Sequence, residues 1–239
     1  DMGSKNYRSL IVKISLIIIS ILYALFIYID IFDGKFTISL DRIKYICIVL
    51  CFLISLLTGK DALNKRDLCL LQLGLFFTVI ADFFLIILVN NVLGVVAFCF
   101  TQIFYSIRYR SGEFKLVLKN SIIIFLLVSI FYLTTNHFIV DMDILIGVSL
   151  YYSIFLISNV VKSIKICKYN LYPSPNKYLI AIGMILFLLC DINVALRSIS
   201  GDIYPLWNIA DLYTNIFSSL VWIFYIPSQV LLSLSGYRF

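Results

Sequence analysis

Asp82 and Asp191 are the residues through which this chain could do chemistry. Each stands in a long apolar stretch with no Lys, Arg or His within four positions on either side. A carboxylate in hydrocarbon is costly to keep, so an acid retained there is a functional candidate by default. The neighbours at helical spacing place both on inward faces. Gly74, Thr78 and Asp82 follow one another at i+4, as do Gly183, Phe187, Asp191 and Ala195. Small residues on such a stripe let helices approach closely. Two further stripes are polar: Gly94, Phe98, Gln102 and Tyr105, and Asn215, Ser218, Trp222, Tyr225 and Gln229. The expectation is one polar interior onto which four helices converge. Two carboxyls sharing a low-dielectric pocket can divide labour, one holding a proton while the other stays ionised.

Other chemistries find no material. His137 is the single histidine, which disfavours a zinc site with two or three His ligands and Ser/His catalysis. Asp141 and Asp143 beside it read as a solvated outer loop before the sixth span. The six cysteines, Cys47, Cys51, Cys69, Cys99, Cys167 and Cys190, form no CxxC and read as small packing residues. No glycine-rich nucleotide loop is present, and no metal or other cofactor is expected.

The elements that must position these residues follow from composition. Of 239 residues 62% are hydrophobic and 13% charged, and the mean hydropathy is +1.03. Soluble domains are about half apolar and a quarter charged. About 20 apolar residues at 1.5 Å each cross a core of roughly 30 Å. The chain is therefore read as all-α, a polytopic membrane protein of eight transmembrane helices in one bundle. The spans are placed at about residues 10–29, 43–58, 68–89, 91–107, 116–134, 144–161, 178–198 and 213–234. Asp1, Met2, Gly3 and Ser4 read as the remnant of an expression tag, leaving residues 5–239 as one domain, and no cleavable signal peptide is evident.

The charge of +6 fits this reading. All 19 Lys and Arg except Lys35, Arg42, Lys44 and Arg197 fall at the N-terminus, in the even-numbered loops or in the tail. The positive-inside rule then puts both termini in the cytoplasm of a cell-membrane protein. Contact with anionic membrane lipid is a secondary use of these charges, and nucleic acid is excluded as a partner because no basic groove exists.

The residues also resemble a family. The stretch Leu73-Gly74-Leu75 through Asp82-Phe83-Phe84-Leu85, followed by Gly94, Phe98 and Tyr105, is similar to the first signature of the YhhN-type lysoplasmalogenase family. Gly183-Met184-Ile185-Leu186-Phe187 through Asp191, with Ala195, is similar to the second, and Tyr225 and Gln229 look like the closing Tyr and Gln. Ala81 stands where the family usually has Gly, Cys190 where it has Ser, and Gln102 where it commonly has His. An amide can orient a substrate or water but does not shuttle a proton at neutral pH.

The resemblance implies hydrolysis of the vinyl ether bond of a lysoplasmalogen to a fatty aldehyde and a glycerophospho-head-group. In that reading Asp82 and Asp191 are catalytic, one as general acid and the other stabilising the cation and activating water. Gln102, Tyr105, Tyr225, Gln229, Thr78 and Asn215 line the substrate site, and Arg197 meets the phosphate. Two rivals use the same residues differently: a proton-coupled or small-solute carrier with its eighth helix broken at Pro227, and a lysolipid-binding protein in which Gln102 has removed catalysis.

Overall fold

The computed structural model describes residues 2–32, 40–110, 113–139, 141–203 and 210–239, with side chains described outside 2–6, 30–32, 199–203 and 210–215. Eight helices carry the fold: α1 Met2–Phe32, α2 Leu40–Leu57, α3 Lys65–Asp82, α4 Asn91–Tyr109, α5 Phe114–Phe138, α6 Ile144–Lys168, α7 Asn176–Ile203 and α8 Ala210–Leu234. Among the described residues there is no strand. Helices are the expected form, because each satisfies its own backbone where no water is available. Seven are long and apolar enough to cross a membrane; α2 falls short because Asp41, Arg42 and Lys44 crowd its first turns. Large apolar side chains cover the outside, Ile14, Ile17 and Ile21 on α1 and Phe125, Leu126 and Leu127 on α5 among them. The chain is a multi-pass helical membrane bundle.

The central element is α4, whose buried residues run from Gly94 to Tyr109. It packs against α3 and α6, while α7 and α8 share the most extensive helix–helix contact among the described residues. Asparagine and aspartate side chains start three helices: Asn64 accepts from Arg66 N at 2.9 Å, Asn90 from Leu93 N at 3.0 Å and Asp143 from Leu145 N at 2.9 Å. Asp143 is therefore the cap of α6 and not a free loop acid. Two boundaries also depart from expectation. Helix α5 runs on through His137, which lies in its last turn rather than in a loop. Helix α7 continues to Ile203, past the span expected at 178–198, and Ala195, expected on the inward stripe, is exposed.

Pro227 lies inside α8 and has no N–H for the carbonyl of Ile223, four residues back. Tyr23 of α1 supplies the missing donor, its hydroxyl bonding to Ile223 O at 3.0 Å. The break is thus repaired from a neighbouring helix, as hydrocarbon requires.

At the end where Lys and Arg gather, Arg108 is a fully buried anchor. Its Nε and Nη2 donate to the two oxygens of Asp67 at 2.9 Å each, and its Nη1 donates to Ser235 Oγ at 2.9 Å. Tyr172, in the loop before α7, donates to Asp67 Oδ1 at 2.5 Å. Burial pushes the Tyr172 pKa up, against the lowering effect of the Arg108 charge, which keeps the hydroxyl a donor. Asn176 Nδ2 donates to the Ser235 and Tyr237 carbonyls at 3.0 and 2.6 Å. Helices α3, α4, α7 and α8 are tied together there. Replacing Arg108 by Met strands a buried carboxylate and is expected to cost about 3–5 kcal/mol. The double variant D67L/R108M should regain most of that in detergent unfolding titrations; no regain would deny that the pair acts as a unit.

Candidate active site

Asp82 ends α3 where the helix widens. Phe83–Ile87 form one π turn, closed by Leu88 N bonding to Phe83 O at 3.1 Å. Such turns recur at functional sites because they re-aim side chains without breaking the helix. Val89 then takes φ 52°, a left-handed backbone unusual for a β-branched residue, and Asn90 caps α4. The tight hairpin brings Gly94 against Leu85, where an added Cβ would sit 2.5 Å from the Leu85 side chain.

Asp82, only 3% exposed, accepts a hydrogen bond from Tyr225 on α8, 2.7 Å between the hydroxyl and Oδ2. Asp191 on α7 is half-buried and accepts a hydrogen bond from the Tyr152 hydroxyl on α6. The two pairs share an aromatic wall. Phe98 of α4 lies 5.8 Å from the Tyr152 ring and 6.4 Å from the Tyr225 ring, and Phe187 lies 5.9 Å from Phe98 and 5.7 Å from Tyr225. The two carboxyls are close enough to act on one another electrostatically, and the Cys190 thiol lies beside Asp191. Two acids, two phenols and two phenyl rings from five helices thus form one buried cluster.

One helical turn further along α4 and α8, toward the basic end, lie Gln102 and Gln229, both fully buried. Gln102 Oε1 accepts from Asn159 Nδ2 at 2.9 Å and its backbone carbonyl accepts from the same atom at 2.7 Å. Its Nε2, both polar atoms of the Gln229 amide and the Tyr105 hydroxyl have no partner among the described groups. Buried polar atoms normally have one, so these mark places where water or a ligand would be held. Tyr105 itself lies against Gly74, where any added Cβ would collide with its ring. Thr78 is fixed by donating to the Gly74 carbonyl at 3.0 Å, and Thr101 donates to the same oxygen at 3.2 Å.

The remaining expected site residues are placed differently. Arg197 is on the exposed part of α7, six residues beyond Asp191. The side chain of Asn215 lies outside the described residues. Two members of the cluster were missed in the sequence. Tyr152 lies in mid-span, away from the interfaces where tyrosines gather, and that position was the available signal that its hydroxyl needs a buried partner. Lys44 was read only as a charge for orientation. It is buried, with its ammonium 5.0 Å from the Trp222 ring and 5.6 Å from the Phe26 ring, and Trp222 touches Tyr225 at 5.6 Å. Burial of an ammonium against aromatic faces recovers part of its lost hydration.

Fold and site together define a class: a multi-pass helical membrane protein with two carboxyls, one buried and one half-buried, each held by a tyrosine, on a common aromatic wall. The model of the YhhN family matches residues 42–236, from the start of α2 to just past α8, and the chain belongs to the YhhN family. No curated protein and no solved structure matches it.

The Tyr225–Asp82 bond can be measured separately from any activity. Tyr225→Phe is expected to destabilise the protein by about 1–3 kcal/mol, the cost of an unmet buried acceptor. In an Asp82→Ala background the same change should cost close to nothing. An equal cost in both backgrounds, read by unfolding in detergent, would deny the interaction.

Proposed function

We propose that this protein hydrolyses the vinyl ether bond of lysoplasmalogens, with Asp82 and Asp191 as the acid pair. The observation that carries the reading is the pair itself, two carboxyls in hydrocarbon, oriented by Tyr225 and Tyr152 and facing one wall. Membership of the YhhN family supports it.

The reaction asks for what such a pair supplies. One carboxyl gives its proton to the alkene carbon remote from the ether oxygen, and the carbon next to that oxygen becomes part of an oxocarbenium ion. The other carboxyl, ionised, stabilises that cation and takes a proton from the water that adds to it. The resulting hemiacetal collapses to a fatty aldehyde and the free glycerol hydroxyl. One water is consumed and no redox partner is needed. The tyrosines fix the carboxyls in place, and the unpaired amide atoms of Gln102 and Gln229 with the Tyr105 hydroxyl hold water and the ether oxygen. The alkyl chain lies along Phe98 and Phe187. In this reading Lys44, on the Trp222 ring beside Tyr225, meets the phosphate, a role the sequence assigned to Arg197, which is exposed on α7.

Aldehyde release from purified protein supplied with lysoplasmalogen tests the proposal. Asp82→Asn and Asp191→Asn should each lower turnover by roughly a thousandfold or more while the protein stays folded, the scale expected for general acid–base and electrostatic groups. Lys44→Gln should raise KM and leave kcat nearly unchanged, as loss of uniform binding does. Full activity in both Asn variants would end the mechanism, and a folded wild-type protein that binds lysolipid without releasing aldehyde would favour the binding role that Gln102 suggested.

A further inference from the structure

A second polar cluster lies at the opposite end of the bundle, about 18 Å along α4 from Phe98 at 1.5 Å per residue. Arg110 ends α4 and Lys162 lies in the last turns of α6, and both line a cleft between α4, α5 and α6 with Ser106, Asn120 and Ser158. Lys162 donates to Ser106 Oγ at 2.5 Å and to Asn159 Oδ1 at 3.3 Å, which leaves one of its three N–H donors. Arg110 makes no side-chain hydrogen bond, and neither cation pairs with a carboxylate, among the described residues. The two are close enough to repel one another.

This is the reverse of the Arg108 site a few residues away, where a carboxylate answers the guanidinium. Helix C-termini favour single cations, but that does not explain two turned onto one cleft. Helix α5, the third helix at the cleft, starts at Phe114 with Glu113 at its N-cap, and the Glu113 side chain makes no cap bond. The cleft has about 50 Å³ of space, several times what one water occupies. Further from the basic end, Ile124 and Ile154 line it, so a polar end leads into an apolar one. Helix α5 is the most loosely held of the three, burying only Val117, Ser121 and Val128.

We propose that this cleft binds the phosphate of an anionic glycerophospholipid from the leaflet at the basic end, with Arg110 and Lys162 on the phosphate and an acyl chain along Ile124 and Ile154. The site is distinct from the Asp82–Asp191 cluster, and the inference holds whatever that cluster catalyses. The ligand's phosphate would neutralise the repelling pair, and its chain would fill the seam that α5 leaves.

Native mass spectrometry of the full chain in detergent, with phosphatidylglycerol and phosphatidylcholine of the same acyl chains, tests this. The wild-type protein should retain one phosphatidylglycerol with roughly tenfold or greater preference, since each cation near a lipid phosphate contributes on the order of 1 kcal/mol. R110Q/K162Q should lose the preference. R110K/K162R should keep it, which separates lost charge from lost fold, and R110Q alone, at a helix end, should weaken it. K119Q removes an exposed cation that is not part of the cleft and should change nothing. Equal retention of both lipids, an unchanged preference in R110Q/K162Q, or an equal loss in K119Q would overturn the proposal. Inorganic phosphate that displaces the lipid at low millimolar concentration would assign the cleft to free phosphate and would overturn it as well.

Discussion

The bond from the Tyr225 hydroxyl to Asp82 states the constraint under which the molecule is built. In a bilayer interior bulk water does not complete an unpaired polar group, so strong groups need partners inside the protein, and the strongest find them on other helices. Asp82 on α3 is met from α8, Asp191 on α7 from α6, and Arg108 on α4 from α3 and α8. The Ile223 carbonyl freed by Pro227 is met from α1. These four connections involve six of the eight helices. Apolar side chains alone do not fix such an arrangement, since lipid tails are as good a partner for Leu or Ile as another helix is.

The same constraint separates two kinds of polar cluster. Around Arg108 and Asp67 the two charges are answered by Ser235, Tyr172 and each other, and the result is an anchor, although the neighbouring Tyr109 hydroxyl has no partner among the described groups. Around Asp82 and Asp191 the acids are answered once each, while the Gln102 and Gln229 amides one turn away and the Tyr105 hydroxyl about two turns away are left over. A fully satisfied network rigidifies; a partly satisfied one has capacity for a ligand. The π turn after Asp82 and the left-handed Val89 belong to the second cluster, where local irregularity sets the direction of a carboxyl. The like-charged pair Arg110 and Lys162 is a third case, two cations on one cleft with no carboxylate paired to either among the described residues.

The proposed hydrolysis and the proposed lipid cleft make different demands on the fold. The first needs an acid, a second carboxyl and a dry aromatic wall, all at the end away from the basic loops. The second needs only two cations and a seam beside the loosely held α5. Family membership covers α2 to α8 and so includes both, whereas α1 lies outside the matched residues yet contributes Tyr23 and Phe26.

Much of this was legible before any coordinates. Blocks of about 20 apolar residues fix eight helices, because hydrocarbon permits little else, and two acids without local partners mark the polar interior. Periodicity of 3.6 places Asp82, Phe98, Phe187 and Tyr225 on inward faces, and these do meet. Periodicity says nothing of which faces meet, so Tyr152 was lost among 16 tyrosines and Lys44 among the charges that set orientation. Helix ends were the weak point, since α5 and α7 run on past their expected limits, and Ala195, expected on an inward stripe, is exposed. The sequence by itself determined the number of helices, their buried stripes and the acids that hydrocarbon would not tolerate unpaired. Only the tertiary structure decided the partners, Tyr225 for Asp82, Tyr152 for Asp191 and Asp67 for Arg108, because they are 143, 39 and 41 residues apart and a hydrogen bond depends on distance in space, which helical periodicity does not encode.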